Sequence, residues 1–307
     1  MKVNATKVRR SFLLAAFLTV SFAGLRADDF NVAALQAAAD KGDARAQYQL
    51  ATCYAKGKGV APIPVMAASY MRKAADQGYV EAQTDLGSYY GRGFGLPRDL
   101  TNAVQWYRKA AAQGDALAQY CLGACLLKGS GVDKDVAAGV KCWRQAAEGA
   151  LPESQYSLGL FLMNRGFVVD TNYVNYPEAA KWLQKAADQD YVPAMNNLGF
   201  LYQRGLGVPQ NPATALKWYR LGAEHEDPRA QANLGLMYEN GSGIPVDPVQ
   251  ACMWYLLSSE KHDEIGRHQL SDLNLHRALT TNQMAQAQQL AEQFRASHRK
   301  AQDPAVN

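Results

Sequence analysis

Apolar and polar positions along this chain follow the period of an α-helix, most clearly over residues 78–113. In the first half of this block, Leu86 and Tyr90 lie four positions apart. In the second half, Trp106 and Ala110 have the same spacing. Residues four apart share one face of a helix. Because a glycine-rich turn separates the halves, the block predicts a helix, a turn and a second helix.

The same block recurs in tandem, so a repeat architecture must be considered before any other fold. Six copies follow one another, and their boundaries are separated by 36, 36, 36, 40 and 36 residues. One helix pair cannot bury its apolar face alone, but stacked pairs bury it between them. The pattern therefore predicts an all-α solenoid of tandem helix-turn-helix repeats. The copies are residues 42–77, 78–113, 114–149, 150–189, 190–225 and 226–261.

Three kinds of residue in each copy have a predictable backbone role. The glycine after the repeat leucine, Gly87 in the second copy, removes a side chain where another helix approaches closely. The turn glycines Gly93 and Gly95 permit the positive φ with which a helix ends. An Asp or Asn then accepts hydrogen bonds from the first N–H groups of the second helix. These predicted N-caps are Asp99, Asp135, Asn175, Asn211 and Asp247.

Segments on either side of the array are predicted to cover its apolar ends, as terminal caps of repeat proteins do. Residues 28–41 form one alanine-rich helix, which resembles a second helix without its first. Residues 262–307 contain two capping helices and a tail, and the last helix begins with a capping box at residues 280–283. Its predicted apolar stripe is Ala287, Leu290, Ala291 and Phe294.

Residues 1–27 have the three-part pattern of a secretory signal peptide: a basic start, an apolar run over residues 12–22, and small residues after it. An uncleaved anchor is the alternative, although the apolar run is short for a bilayer. The pattern predicts a periplasmic or secreted protein that has no integral membrane span after signal cleavage.

The charge of the chain argues against a nucleic-acid partner. The whole sequence has a net charge of +4, but residues 1–27 hold five basic residues and no acidic one. The remainder has 27 basic and 28 acidic residues, without a clustered basic stretch. A nucleic-acid binder needs such a basic face.

The repeat resembles the Sel-1-like repeat family, which is related to the tetratricopeptide repeats. The resemblance covers residues 42–261 and rests on the motif A-x-x-x-L-G-x-x-Y, the G-x-G turn, the capping acid and the ending W-Y-x-x-A-A. It implies a right-handed α-α superhelix. It also implies a non-catalytic scaffold or adaptor that binds proteins or peptides, often in the bacterial envelope. The third copy departs from the motif, since Leu126 replaces the tyrosine and Cys142 replaces the tryptophan.

A binding groove is predicted on the first helices, which line the concave side of stacked helix pairs. Residues two before and two after each repeat leucine share one helical face, and in copies three to five many of them are aromatic or apolar. An exposed apolar stripe marks an interaction site. The alternative is that these side chains pack between neighbouring first helices. The predicted groove residues are Tyr120, Tyr156, Leu160, Asn196, Phe200 and Leu236.

The fourth copy has four extra residues in the turn between its helices, over residues 164–175. Phe167, Val168, Val169 and Tyr173 make this loop apolar. Insertions in repeat proteins map to loops, often on a binding face. Tolerated length variation, with the apolar residues folded back on the array, explains the loop equally well.

Candidate catalytic and metal motifs have simpler structural interpretations, so we expect no enzyme, metal or cofactor. Ser258 and Lys261 have the S-x-x-K spacing of penicillin-recognising enzymes, but the companion motifs S-D-N and K-T-G are absent. An envelope enzyme, or a receptor for cell-wall fragments or β-lactams, is the alternative function. His262 and His268 are six positions apart and do not share a helical face.

The five cysteines are Cys53, Cys121, Cys125, Cys142 and Cys252. An odd number is unusual for an exported protein, because at least one cysteine is left without a disulfide partner in the chain. Cys53 and Cys125 stand just before the repeat tyrosine position and are predicted to act as small core residues. A disulfide between Cys142 and either Cys121 or Cys125 is compatible with an oxidising compartment. Both pairings stay open at this point.

Overall fold

The computed structural model describes residues 31–165, 171–261, 264–271 and 279–302. The predicted signal peptide, Phe167, Val168, Val169 and His262 lie outside these residues. All regular structure in the described ranges is helical, and none of it is a strand. This confirms the predicted all-α class built of tandem helical repeats. No helix in these ranges has the length and apolar content that a membrane span requires.

Helices alternate with short turns throughout the described ranges, and the fourth copy has an additional short 3-10 turn at Thr171–Tyr173. In chain order the helices are α1 (Val32–Asp40), α2 (Ala44–Lys56), α3 (Pro64–Asp76), α4 (Val80–Arg92), α5 (Leu100–Ala112), α6 (Ala116–Lys128), α7 (Val136–Glu148), α8 (Pro152–Leu162), α9 (Tyr176–Ala187), α10 (Val192–Arg204), α11 (Pro212–Glu224), α12 (Pro228–Asn240), α13 (Pro248–Glu260), α14 (Glu264–Ser271) and α15 (Thr281–Gln302).

The turn between the two helices of a copy has the predicted backbone conformation. Gly93 ends α4 at φ +73°, and its N–H donates to the carbonyl of Tyr89 at 2.8 Å. Gly95 follows at φ +68° and lies against the backbone of Pro64 in the preceding copy. Because positive φ is strained for residues with a Cβ, glycine is favoured at both positions.

The predicted N-caps of the second helices are confirmed. In α5 the carboxylate of Asp99 accepts the N–H of Asn102 at 2.9 Å, and this hydrogen bond lowers the pKa of Asp99. The other four predicted caps accept backbone N–H groups in the same way. Ile63 occupies this register in the first copy, and its side chain makes no capping hydrogen bond.

The chain divides into two compact units, one ending at Ser154 and the other beginning at Gln155. The first unit has a continuous apolar core that includes Leu50, Met71 and Leu86, all almost fully buried. A core cluster of the second unit includes Tyr219 and Tyr255, which are also fully buried.

The last helix covers an apolar face of the second unit. Ala287 and Ala291 of α15 are fully buried, and Phe294 packs against Trp254 with ring centroids 5.3 Å apart. The predicted capping box is present, since the Gln283 side chain accepts the Thr280 N–H at 2.9 Å. In return, the N–H of Gln283 donates to the Thr280 hydroxyl at 3.3 Å.

Candidate functional site

The predicted groove residues lie on first helices, two positions from a repeat leucine that is itself buried. Tyr120 lies on α6 in the first unit, and the others lie on α8, α10 and α12 in the second unit. Asn196 is buried, with 7% of its surface exposed. The half-buried members, which keep part of their surface exposed, are Tyr120, Tyr156, Leu160, Phe200 and Leu236.

Tyr120 is held by the second helix of its own copy. Its ring stacks on the ring of Trp143 with centroids 5.8 Å apart and planes inclined by 23°. The indole N–H of Trp143 donates to the backbone carbonyl of Tyr120 at 3.0 Å. The tryptophan therefore fixes the orientation of Tyr120 and covers one of its faces.

In the second unit, aromatic rings of α8 and α10 come together with residues next to these helices: Arg165, in the turn after α8, and Tyr191, the N-cap of α10. The ring of Tyr156 packs against that of Tyr191 with centroids 5.3 Å apart. The guanidinium of Arg165 lies 4.6 Å from the ring centroid of Phe200 and donates to the Asn197 side chain at 3.1 Å. This cation–π contact orients an exposed arginine beside an exposed part of Phe200. We call Tyr156, Arg165, Asn197 and Phe200 the arginine–aromatic cluster.

Electrostatics of the cluster follow from partial burial among mixed charges. Burial raises the pKa of Tyr156, so its phenol stays neutral at ordinary pH. Two cations, Arg229 and Arg165, oppose that shift, and Asp227 reinforces it. A neutral hydroxyl flanked by guanidinium groups can bind polar parts of a ligand, while the rings bind apolar parts.

Some groove positions also bond to the next first helix, through the residue just before its leucine. In the first unit the hydroxyl of Tyr48 donates to Asp85 Oδ2 at 3.1 Å. In the second unit the Asn233 side chain donates to Asn196 Oδ1 at 2.7 Å. These contacts agree with the alternative interpretation, in which the groove residues pack between neighbouring first helices. The hydrogen bond from Asn233 holds the Asn196 side chain between the two first helices, which accounts for its burial.

Asp85 is a carboxylate that weakens the fold at neutral pH. Burial raises its pKa to about 6, well above the value for an unfolded chain. Between about pH 4 and pH 6 the folded state therefore binds the proton that the unfolded state has lost, so stability falls as the pH rises through this window.

Asp85→Asn is expected to increase the free energy of unfolding at pH 7.5 by about 2 kcal/mol. The neutral amide can still accept the Tyr48 hydroxyl but carries no charge. Urea unfolding at pH 7.5 and pH 4 measures the effect, and the gain should vanish at pH 4. Glu81→Gln, an exposed change on the same helix, should alter stability by less than about 0.5 kcal/mol at either pH. Equal gains for Asp85→Asn at both pH values would contradict the assignment.

A relay of glutamines, which the sequence analysis missed, joins consecutive copies. In the second copy Gln83 Nε2 donates to the carbonyl of Ala75 at 3.2 Å, while Gln83 Oε1 accepts from Gln113 at 2.8 Å. Because the amide is buried, both of its ends need partners. The same pair recurs as Gln47 with Gln77 at 2.7 Å. The recurring Gln three residues before the repeat leucine was the available sequence signal.

The relay is interrupted in the later copies. In the fifth copy Met195 replaces the glutamine and is fully buried. In the sixth copy Gln231 still donates to Ala223 at 3.3 Å, but its Oε1 atom is buried without a hydrogen-bond partner. The donor position at the end of α13 is Lys261, whose ammonium binds Glu226 instead.

Lys261→Gln is expected to stabilise the protein by about 1 kcal/mol, because it supplies a donor to the unpaired Gln231 oxygen. The change also removes the surface ion pair with Glu226, which contributes little. Lys261→Met is the matched control, since it loses the same ion pair without supplying a donor. The difference between the two variants in urea unfolding measures the new hydrogen bond. Equal stabilities would show that the side chain at 261 does not reach Gln231.

The side chains of Ser258 and Lys261 bond to different groups. The Ser258 side chain is fully buried, and its hydroxyl donates to the carbonyl of Pro228 at 2.7 Å. A Cβ on Gly266 would lie 2.5 Å from the Ser258 Oγ atom, so α14 packs directly over the hydroxyl. Ser258 therefore acts as a small packing residue with a satisfied hydroxyl.

All five cysteines are free thiols. Neither Cys121 nor Cys125 is bonded to Cys142. Burial raises the pKa of Cys121 and of Cys125, which keeps both thiols protonated and unreactive. Among the described residues, no group of three or more His, Cys, Asp or Glu side chains could hold a metal ion.

The described part of the fourth-copy loop folds back on its own unit. Tyr173 packs edge-on against Phe161 of α8, with ring centroids 5.4 Å apart. For this residue the contact agrees with the folded-back alternative of the two interpretations.

Comparison with known proteins matches the same repeats. The Sel1 repeat family matches residues 44–79, 80–115, 116–150, 152–191, 192–227 and 228–263. These segments begin two residues later than the predicted copies. No curated protein matches the chain.

Two solved structures are similar to the chain over most of its length. One is a protective antigen from uropathogenic Escherichia coli strains that displays an SLR fold, at 32% identity and a TM-score of 0.75. The match covers 89% of this chain, which spans only 58% of that protein. The other is a Sel1 repeat protein from Oxalobacter formigenes, at 29% identity and a TM-score of 0.67. That match covers 81% of this chain and 96% of the other.

Proposed function

The chain belongs to the Sel1 repeat family, and we propose that it is a non-catalytic scaffold that binds a protein or peptide partner along its first helices. Stacked helix pairs fit a protein-interaction scaffold, since they present one continuous face of first helices to a partner. The binding surface that we propose lies on the first helices of the second unit, around the arginine–aromatic cluster and the half-buried Leu160 and Leu236.

The observation that carries this proposal is the partial exposure of Tyr156, Leu160 and Phe200 on successive first helices. A partner that covered these side chains would remove apolar surface from water, at about 25 cal/mol for each Å². Tyrosine and arginine are among the residues that most often dominate interface energetics. Arg165 is already oriented by Phe200 and Asn197, so it loses little freedom on binding.

We propose further that the protein works outside the cytoplasm, in the periplasm or as a secreted protein. The signal pattern of residues 1–27 supports this location. The E. coli relative is a protective antigen, which accords with an exported protein.

The proposed groove is tested by affinity capture from envelope extract. We expect one protein to bind the mature chain and to be lost with Tyr156→Ala/Phe200→Ala, because removing two aromatic anchors weakens binding by roughly 100-fold. The matched control is Leu216→Ala/Leu256→Ala, which removes two half-buried side chains from the second helices α11 and α13. The control should retain the partner. Retention by the groove variant would move the binding surface elsewhere.

A further inference from the structure

A second candidate surface lies in the first unit, around the carboxylate of Asp85. Asp85 stands on α4, just before the buried Leu86, and it is half-buried. Among the described residues its hydrogen-bond partner is the Tyr48 hydroxyl at 3.1 Å, and no basic side chain forms an ion pair with it. One carboxylate oxygen is thus left to solvent or to a ligand. A half-buried carboxylate without an ion pair is unusual, because burial favours pairing.

Aromatic rings lie on both sides of this carboxylate. Tyr48 packs against Tyr79 with ring centroids 5.2 Å apart. Tyr89 lies one helical turn after Asp85 on the same face of α4, and its ring packs against Phe94 at 4.8 Å. All four rings are half-buried, so each keeps an exposed part. We call Tyr48, Tyr79, Asp85, Tyr89 and Phe94 the acidic tyrosine patch.

Charges on the surrounding helices compensate the carboxylate only in part. The nearby basic residues, Lys56 and Arg92, are exposed at the C-terminal ends of α2 and α4. Asp115, the N-cap of α6, adds a negative charge and accepts the Thr84 hydroxyl at 2.9 Å. Burial raises the pKa of Asp85 to about 6 despite the Tyr48 hydrogen bond and the two cations. The titratable and charged groups around the patch are therefore Asp43, Arg45, Lys56, Glu81, Arg92, Asp115, Tyr48, Tyr79 and Tyr89.

We propose that the acidic tyrosine patch binds a lysine or arginine side chain of a partner polypeptide. Asp85 supplies the counter-charge, and the rings of Tyr48 and Tyr89 supply cation–π contacts beside it. The bound cation makes the hydrogen bonds that Asp85 Oδ1 lacks. The buried charge of Asp85 lowers the stability of the free protein, and a bound cation restores it. Local losses of stability of this kind are common at functional sites.

The chemistry favours a basic side chain over a metal ion. A hard metal cation requires several oxygen ligands at close range, and no described group of acidic residues provides them. Aromatic rings around one carboxylate instead suit a cation with an apolar stem, which lysine and arginine have. The inference rests on the proposed scaffold function only in taking a polypeptide as the occupant. The patch lies in the first unit, whereas the arginine–aromatic cluster lies in the second.

The test uses hexalysine with blocked termini, titrated into the full chain at pH 7.5 and followed by calorimetry. We expect hexalysine to bind the wild type, and Asp85→Asn to weaken binding about fivefold or more. Glu81→Gln is the matched control, because it removes an exposed acid one turn earlier on the same helix and should change affinity less than twofold. Hexaglutamate should not bind at the patch.

A second measurement separates a specific site from general attraction between opposite charges. Lowering the pH from 7.5 to 5 should weaken hexalysine binding to the wild type about fivefold, because Asp85 becomes protonated. Asp85→Asn should show no such loss. Tyr89→Leu, which keeps the charge and removes a ring, should also weaken binding.

Three results would overturn the proposal: unchanged affinity in Asp85→Asn, equal weakening by Glu81→Gln, or the same pH dependence in Asp85→Asn as in the wild type. The groove variant Tyr156→Ala/Phe200→Ala should bind hexalysine like the wild type. Its loss of the captured partner therefore reports on the proposed function, and its retention of hexalysine reports on the patch.

Discussion

Gly95→Ala is expected to destabilise the first unit by at least about 3 kcal/mol. A Cβ at this position would lie 1.9 Å from the carbonyl oxygen of Pro64 and 2.4 Å from its carbonyl carbon. Those atoms belong to the backbone at the start of α3, so they cannot move aside as a side chain can. Relief requires the first and second copies to separate. Equilibrium urea unfolding followed by circular dichroism measures the loss.

The control for Gly95→Ala is Gly78→Ala, which isolates the cost of the backbone conformation. Gly78 also has a positive φ, of +87°, but a Cβ there would meet no atom within 4 Å. We expect a loss of only about 1 kcal/mol. Ala150 has the same place at the start of the fourth copy and holds φ +62°, so the fold tolerates alanine there. Equal losses for the two variants would show that close approach between copies is not what selects Gly95.

Tyr219→Ala is expected to cost about 4 kcal/mol in the second unit, because it removes one of the largest fully buried side chains. Its ring fills the space that a Cβ on Gly199 would otherwise occupy, at a distance of 2.7 Å. The lack of a side chain at Gly199 makes room for the Tyr219 ring. In Tyr219→Ala the rigid backbone of α10 cannot move in to fill the cavity that the ring leaves. Urea unfolding of the variant measures the cost.

Tyr219→Phe is the matched control, since it keeps the ring and removes the hydroxyl that donates to Gln203 Oε1 at 2.9 Å. We expect it to cost about 1 kcal/mol, because Gln203 is only half-buried and can turn to water. If Tyr219→Phe cost as much as Tyr219→Ala, the hydrogen bond rather than ring packing would hold the two helices together.

Backbone features were predictable because each depends on a residue type with one dominant local role. Asp99 and its equivalents cap second helices since a side-chain oxygen at that position satisfies free N–H groups. The turn glycines follow from the positive φ that ends a first helix. Because the capping residues and the turn glycines both repeat at a fixed spacing, the sequence predicts the repeats and the order of their helices.

Contacts between copies were less predictable, because they depend on how far one helix pair rotates against the next. The bond between Tyr48 and Asp85 joins residues 37 positions apart, and spacing within one copy does not reveal it. The same limit applies to the groove. Periodicity placed Asn196 on the same face as Phe200, but the neighbouring Asn233 draws its side chain into the array.

The glutamine relay shows what a closer comparison of copies could have found. Gln83 and Gln113 stand 30 positions apart, and the same pairing recurs at Gln47 and Gln77. A polar residue at a fixed place in a helix that is otherwise apolar signals a paired buried group. The loss of both members in the fifth copy, where Met195 and His225 occupy these places, is consistent with that reading.

The most direct test of the scaffold account is hydrogen exchange of the full chain, measured with and without the captured partner. We expect the partner to slow exchange of backbone amides on the first helices α8, α10 and α12, and to leave exchange on the second helices α9, α11 and α13 unchanged. Protection confined to the second helices would contradict the account, because the partner would then bind the face opposite Tyr156 and Phe200.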